Sequence, residues 1–404
     1  MKSLSLIICI ILGIKSFAQQ IEMPAEQYPF YSIIEWKGMG AILFNRDPAG
    51  NMKKVNMTLV GNKPTNIWQQ SFNPNGKEFH FISSENSRYV YFLDNLVPEE
   101  GKISLHQLNS AGNIKSTSVV LSSAIKKLGA FDLSEMQLMD IITTDKALVH
   151  VFRYHDTKAK KFIEFATFIT HHNLLVYSSI LGEVAEEDIK EGNFGQWKYI
   201  GFTDDQIYFA ARDFQNKKKG WTVQNLTSKG ALTNSQFING PIESFDIVEH
   251  IGVGANGKTI LNNSTDSETA TLIHHKNQFY ITGIMTEGTS KTVKLKQLLD
   301  GKWVDLNNFK FTPDKGKTSL HLGNYILNEG IGCKIGNSMI FLPYDAAKKP
   351  NQTVFSSRYN SNPSRFIVED KKELFTVSLS DGTLYFDLSQ LNKSGNVKFE
   401  FIKK

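Results

Sequence analysis

The chain has 404 residues, 41% of them hydrophobic and 21% charged, a balance that excludes a disordered or fibrous protein and is long enough for a substantial core. Its 28 Phe and 13 Tyr against 11 Pro lean toward β structure. The formal charge of +5 moves closer to balance once Lys2 and Lys15 are removed with a leader, which leaves no electrostatic footprint for nucleic acid.

Residues 1–18, MKSLSLIICIILGIKSFA, read as a secretory signal peptide. Lys2 supplies the positive start, Leu4 to Ile14 the apolar run and Ser16-Phe17-Ala18 the small-x-small cleavage site, so Gln19 is the expected mature N-terminus. The run is too short, and too closely followed by Lys15, to span a bilayer. The expectation is an exported chain, periplasmic or outer-membrane associated, with no transmembrane segment after cleavage. Cys9 lies inside the apolar run with no small residue before it, which argues against a lipid anchor. Cys333 is then alone, cannot form an intramolecular disulfide, and reads as a small buried residue.

Residues 19–404 read as a single β-propeller domain, all-β and built of four-stranded antiparallel blades. Gly40 to Val60 form a hairpin around an Asp47-Pro48-Ala49-Gly50-Asn51 turn. Residues 79–121 follow as strand, polar turn, strand, loop, strand, turn and strand. Residues 138–181 and 197–238 repeat that plan. A further copy runs through ATLIHHKNQFYITGIM and VKLKQLLDGKWVDLNNFKF, and a last one from Phe366 to Phe401. Second strands are placed near Tyr89, Ala147, Ile207, Phe279 and Ser338, a period of about sixty residues that is stretched only between Ile207 and Phe279. That spacing predicts six to eight blades, with seven favoured. Ser122 to Leu128 and Ala185 to Glu191 are short enough to make only a turn or two of helix, and Lys217-Lys218-Lys219 reads as a solvated hairpin tip.

FNPNGKEFHFISSENSRYVYFLD, residues 72–94, resembles the TolB-type, WD-like propeller repeat. Asn75-Gly76-Lys77 matches its turn, with Asn where that family usually has Asp, and Ser83-Ser84-Glu85-Asn86 matches its small-polar hairpin. The resemblance covers about one blade; it implies the architecture and carries almost nothing about activity.

Several stretches invite chemistry. Gly252-Val253-Gly254-Ala255-Asn256-Gly257-Lys258-Thr259 fits both the P-loop and the G-x-G-x-x-G patterns, in which glycines let backbone N–H groups approach phosphate. The following ILNNSTDSETA is a poor helix former and no βαβ pattern surrounds it, so the run reads as an irregular inter-blade loop. Ser123-Ala124-Ile125-Lys126 fits the serine–lysine pattern of penicillin-binding proteins, but Ser394-Gly395-Asn396 reads as a hairpin turn and no G-x-S-x-G elbow occurs. His171-His172 and His274-His275 cannot chelate through both rings, because neighbours on a strand point to opposite faces. One histidine from each pair remains an alternative to the reading of both as polar hairpin turns.

Glycosidase chemistry would need two acids brought together from different parts of the fold, for which Glu186-Glu187-Asp188 and Asp204-Asp205 are loop candidates. Trp36, Trp68, Trp197, Trp221 and Trp303 would serve sugar stacking if exposed and blade packing if buried. Ser380-Asp381-Gly382 lacks the intervening residues of the sialidase-type box. No catalytic, cofactor-binding or metal residue is therefore assigned, and no cofactor is expected. The function expected is a non-catalytic interaction scaffold or accessory subunit at the bacterial outer membrane, of an export or secretion assembly, with an envelope or outer-membrane protein complex as partner. A carbohydrate-binding or glycoside-active propeller is the alternative. The chain closes at Lys404 directly after a strand, with no appended sorting domain in view, which favours periplasmic retention.

Overall fold

The computed structural model describes residues 20–24, 31–36, 39–45, 55–61, 66–73, 80–82, 88–94, 101–190, 196–203, 206–215, 218–241, 250–253, 259–262, 270–287, 290–311, 322–326, 330–335, 338–354, 374–379, 382–387 and 396–403. Among them the chain forms seven antiparallel sheets, and it is a β-propeller. The first strand, β1 (Gln20–Pro24), waits for the last blade. The first blade is β2 (Tyr31–Trp36), β3 (Gly40–Asn45), β4 (Val55–Val60) and β5 (Asn66–Phe72). The second is β6 (His80–Ile82), β7 (Tyr89–Leu93), β8 (Lys102–Asn109) and β9 (Ile114–Val120). After α1 (Ser122–Ile125) comes the third, β10 (Gln137–Thr143), β11 (Ala147–Asp156), β12 (Lys161–Thr170) and β13 (Val176–Ala185). The short α2 (Glu186–Lys190) leads to the fourth, β14 (Lys198–Phe202), β15 (Ile207–Gln215), β16 (Lys218–Leu226) and β17 (Leu232–Asn239).

A hairpin of β18 (His250–Val253) and β19 (Thr259–Asn262) then reaches back to the third blade, pairing with the free side of β10 at Leu138 and Val253. The fifth blade is β20 (Ala270–His275), β21 (Gln278–Glu287), β22 (Ser290–Leu299) and β23 (Lys302–Phe311). The sixth is β24 (Leu322–Ile326), β25 (Gly330–Ile335), β26 (Ser338–Pro343) and β27 (Asn351–Val354). The seventh combines β28 (Leu374–Leu379), β29 (Gly382–Asp387) and β30 (Asn396–Lys403) with β1, from Gln20 opposite Glu400 to Pro24 opposite Asn396. The opening strand thus becomes the outermost strand of the closing blade.

The core lies between blades. Tyr91, Leu93 and Leu105 of the second pack on Leu148, Phe152 and Phe165 of the third. The other face of the third, with Val149, Val151 and Phe168, packs on Phe209 and Leu226 of the fourth. Val223 and Trp221 of the fourth meet Leu272 and Ile281 of the fifth, and Ile284 and Val293 of the fifth meet Ile331, Cys333 and Ile340 of the sixth. A strand buried on both faces needs apolar residues at odd and even positions alike, which is why alternation along these strands is loose. Each large apolar side chain fully buried in such a face contributes about 1.5–3 kcal/mol.

Tyr89, Ala147 and Ile207 do open second strands, and the helical turns fall where expected. Phe279 is one residue late, since β21 starts at Gln278. Ser338 is a correction: it opens the third strand of its blade, and the second begins at Gly330. The glycines of β25 disguise it as a loop; Gly330 is required because a Cβ there would stand 2.4 Å from the Leu342 carbonyl oxygen. The stretched interval between Ile207 and Phe279 is explained by the β18–β19 hairpin. That hairpin also corrects the reading of Gly252–Thr259 as irregular: Gly252 pairs with Ile260 and Val253 with Thr259. A P-loop needs Thr259 to open a helix, and here it opens a strand. Residues 254–258, Asn75-Gly76-Lys77, Ser83 to Asn86, Phe366, Ser380-Asp381 and Ser394-Gly395 lie outside the described residues, as do Cys9 and Lys217.

Candidate functional site: one face of the propeller

Strands alternate in direction, so the turns joining first to second and third to fourth strands emerge at one face of the disc. Four of the five large hydrophobic residues exposed among the described residues belong to that face. Leu175 follows the third-to-fourth turn of the third blade, Leu232 follows that of the fourth, and Leu299 and Val304 flank that of the fifth. They are 49%, 56%, 41% and 43% exposed. Single exposed leucines are ordinary; their recurrence at the same end of three consecutive blades is the feature. Full burial of such a side chain contributes about 1.5–3 kcal/mol, so covering these half-exposed groups adds about 1 kcal/mol each. Together that matches only the low end of what association costs, so the polar turns between them must supply the rest of an interface. Exposed Lys146, Lys229 and Lys302 stand among them, as do His172 and Asn173.

Several groups capable of acid–base chemistry are engaged inside the blades. Asp94, His106 and Ser116 form a relay: His106 Nε2 lies 2.9 Å from Asp94 Oδ1, and its Nδ1 lies 2.8 Å from Ser116 Oγ. The pairing explains the contact. Asn109 N–H donates to the Asn113 carbonyl, so along β8 and β9 the pair His106–Ser116 is a non-hydrogen-bonded one, in which side chains come closest. With Asp94 accepting from Nε2–H, Nδ1 is left to accept from the serine hydroxyl. His106 is buried and stacks on Phe92 with ring centroids 4.8 Å apart. Burial holds its pKa below the usual value, although Asp94 pulls it up. The relay joins β7, β8 and β9 of one blade and works as a clasp.

His171 and His274 are corrected from polar turn residues to buried ones. His171 Nε2 donates to the Thr144 carbonyl at 2.9 Å, which leaves Nδ1 to accept from the Tyr91 hydroxyl at 2.6 Å. Gln107 Nε2 donates to that hydroxyl at 2.9 Å and to the His171 carbonyl at 2.8 Å, tying the second blade to the third. His274 stacks on Tyr208 of the neighbouring blade at 3.7 Å. Desolvation lowers both rings to a pKa of about 4, so both are neutral at physiological pH. They lie in different blades, and among the described residues no cluster of three or more metal-ligating side chains occurs.

Trp36, Trp197 and Trp221 are buried between blades, and Trp303 Nε1 donates to the Asn239 carbonyl at 2.8 Å, so these four serve packing. The side chain of Trp68 lies outside the described residues, as do Asp204 and Asp205. Glu186 accepts from His155 Nε2 at 2.5 Å; Glu187 and Asp188 are exposed. Ser123 and Lys126 are exposed at α1. Cys333 is buried, its Sγ 3.4 Å from Thr282 Oγ1, and desolvation pushes its thiol up to about 12. It is no nucleophile.

Asp140 is the exception. It follows a bulge in β10, the strand that carries the β18–β19 hairpin on its other side, and its side chain reaches solvent although protein crowds around it. Desolvation raises its pKa to about 6, against a backbone hydrogen bond from Ile141 and the charge of Lys198. A raised carboxyl pKa means the folded chain binds the proton more tightly, so this group destabilises the fold as pH climbs from about 4 to about 6. Asp140→Asn is expected to raise the melting temperature at pH 8 and leave it unchanged at pH 4, measured by circular dichroism.

Sequence reasoning missed the exposed leucines, because a leucine beside a turn looks the same whether it faces the next blade or water. Comparisons with known proteins add fold-level likeness only. No protein-family model matches, and no curated protein does. Among solved structures, an oligogalacturonate lyase in complex with manganese aligns over 96% of this chain and 99% of its own at 10% identity and a TM-score of 0.39. The acylaminoacyl peptidase of Pyrococcus horikoshii aligns over 89% of this chain at 8% identity and 0.44, and the chain spans about half of it, 49%. The β-propeller domain of the Trilobed protease from Pyrococcus furiosus aligns over 82% of this chain and 97% of its own at 10% identity and 0.35.

Proposed function

We propose that the mature chain is a non-catalytic docking platform exported to the bacterial envelope, an interaction scaffold or accessory subunit of an outer-membrane export or secretion assembly. The observation that supports it most is the arc of Leu175, Leu232, Leu299 and Val304 at one face of three successive blades. A disc that offers rigid loops from every blade binds without any reactive group. The internal engagement of His106, His171 and Glu164 agrees with that reading. Export agrees with the position of the closing strand. Cleavage after Ala18 leaves β1, which starts at Gln20, whole. No helix among the described residues is long and apolar enough to cross a membrane.

The test sets the apolar face against loop acids. Leu175→Asp with Leu299→Asp is expected to weaken capture of the envelope partner by at least about tenfold, as truncation of interface anchors does. Asp204→Asn with Asp205→Asn is expected to leave capture within about threefold, because rim charges contribute little. Polysaccharide cleavage abolished by the acid variant would instead establish the glycosidase reading.

A further inference from the structure

Every blade ends in an outermost strand with one unpaired side, and proteins normally protect such edges with charge, proline or a bulge. Four of these strands follow the rule, β1 through Glu22 and Pro24. Lys115 stands on β9, Glu183 on β13, and Lys302, Asp305 and Lys310 on β23. β5 (NIWQQSF), β17 (LTNSQFIN) and β27 (NQTV) have no charge and no proline; β17 is the longest of the three, its one bulge against β16 sets Thr233 out of the ladder, and residues Leu232 to Gln236 are all exposed.

The register says which backbone groups it offers. Gly240 N–H donates to the Lys219 carbonyl at 2.8 Å, so Lys219 and Gly240 form a hydrogen-bonded pair. Counting along the unbroken ladder, Ser235 opposite Gln224 and Phe237 opposite Thr222 are non-hydrogen-bonded pairs, with N–H and C=O turned away from β16. Asn239 shares that parity, and its carbonyl does face outward, where it accepts from Trp303 Nε1. Ser235 and Phe237 have no backbone partner among the described residues.

We propose that β17 is a self-association edge that pairs antiparallel with β17 of a second copy about a two-fold axis through Gln236. Ser235 of each copy then opposes Phe237 of the other, and the two pairs exchange four main-chain hydrogen bonds. Gln236 faces Gln236, and Asn234 faces Ile238. Because the strand is uncharged, this register brings no like charges together, whereas β23 laid on itself would have to accommodate Lys302, Asp305 and Lys310. The contact is isologous and closes at the dimer. One strand pair with its flanks falls near the small end of stable interfaces, so dissociation in the micromolar range is expected, on the order of 10 µM.

Sedimentation equilibrium of the mature chain from about 1 to 100 µM reads this directly. The wild type is expected to show a monomer–dimer equilibrium. Ser235→Pro removes only an outward N–H and leaves the β15–β16–β17 ladder intact, so it is expected to melt like the wild type and sediment as a monomer throughout. If the proline variant does not fold, Ser235→Lys is read in its place with the same expectation, and Ser235→Ala is expected to keep the dimer. A wild type monomeric at every concentration, including one that captures a foreign strand instead, overturns the proposal. So does an edge variant that dimerises unchanged. The Leu175→Asp with Leu299→Asp chain is expected to dimerise normally, so failure here and failure of the partner face are separate results.

Discussion

Gly201→Ala is expected to cost about 4 kcal/mol or more. Gly201 lies on β14 just past a bulge, with a φ of 150°, where side chains are strained. A Cβ there would also stand 1.9 Å from the carbonyl oxygen of His274, on the innermost strand of the next blade. Two innermost strands approach each other backbone to backbone at this point, and neither can retreat without opening the packing of Ile200 and Leu272. Gly301→Ala provides the contrast. Gly301 has a φ of 74°, but nothing lies within 4 Å of an added Cβ, so only the conformational cost of about 1 kcal/mol is expected. Urea unfolding of the two variants checks this; equal losses would mean that the blades are not in backbone contact at Gly201.

Arg153→Met is expected to remove about 3–5 kcal/mol. Arg153 on β11 and Glu164 on β12 are directly opposite one another and both buried, with Nε 2.6 Å from Oε1. The other carboxylate oxygen accepts from the backbone N–H of Trp197 at 2.6 Å, on the approach to the fourth blade, and the guanidinium sits 5.1 Å above the Phe162 ring. Removing the arginine strands a carboxylate in the interior. Removing both charges, as Arg153→Met with Glu164→Leu, is expected to recover most of the loss, since desolving the pair offsets much of its mutual attraction. A double variant no better than the single one would show that the Glu164–Trp197 hydrogen bond, lost only in the double variant, matters as much as the stranded charge.

How far the sequence is legible follows from which facts are local. Hairpins are local: Asn86, Asp145 and Asp204-Asp205, each among polar residues between apolar runs, set Tyr89, Ala147 and Ile207 at the starts of second strands, and the period then counts the blades. Ser338 was misplaced because the glycines that β25 needs for close approach at Leu342 are the same residues that signal a loop. Gly252 to Thr259 shows the converse, a pattern met letter by letter whose meaning depends on whether a helix or a strand follows. The Asp94–His106–Ser116 clasp is not legible, since two strand residues and one just past the end of a third strand meet only once register and pairing type are known. The same holds for His171, which looked like a turn residue and is tied to Tyr91 of the preceding blade.

The claim that this propeller is a docking platform is tested most directly by affinity purification of the tagged mature chain from native membranes in mild detergent, beside the Leu175→Asp with Leu299→Asp chain. A stoichiometric envelope partner is expected to co-purify with the wild type and to be lost with the variant, while both melt alike. Recovery of the chain alone, together with polysaccharide cleavage that neutralising a single carboxylate eliminates, would contradict it.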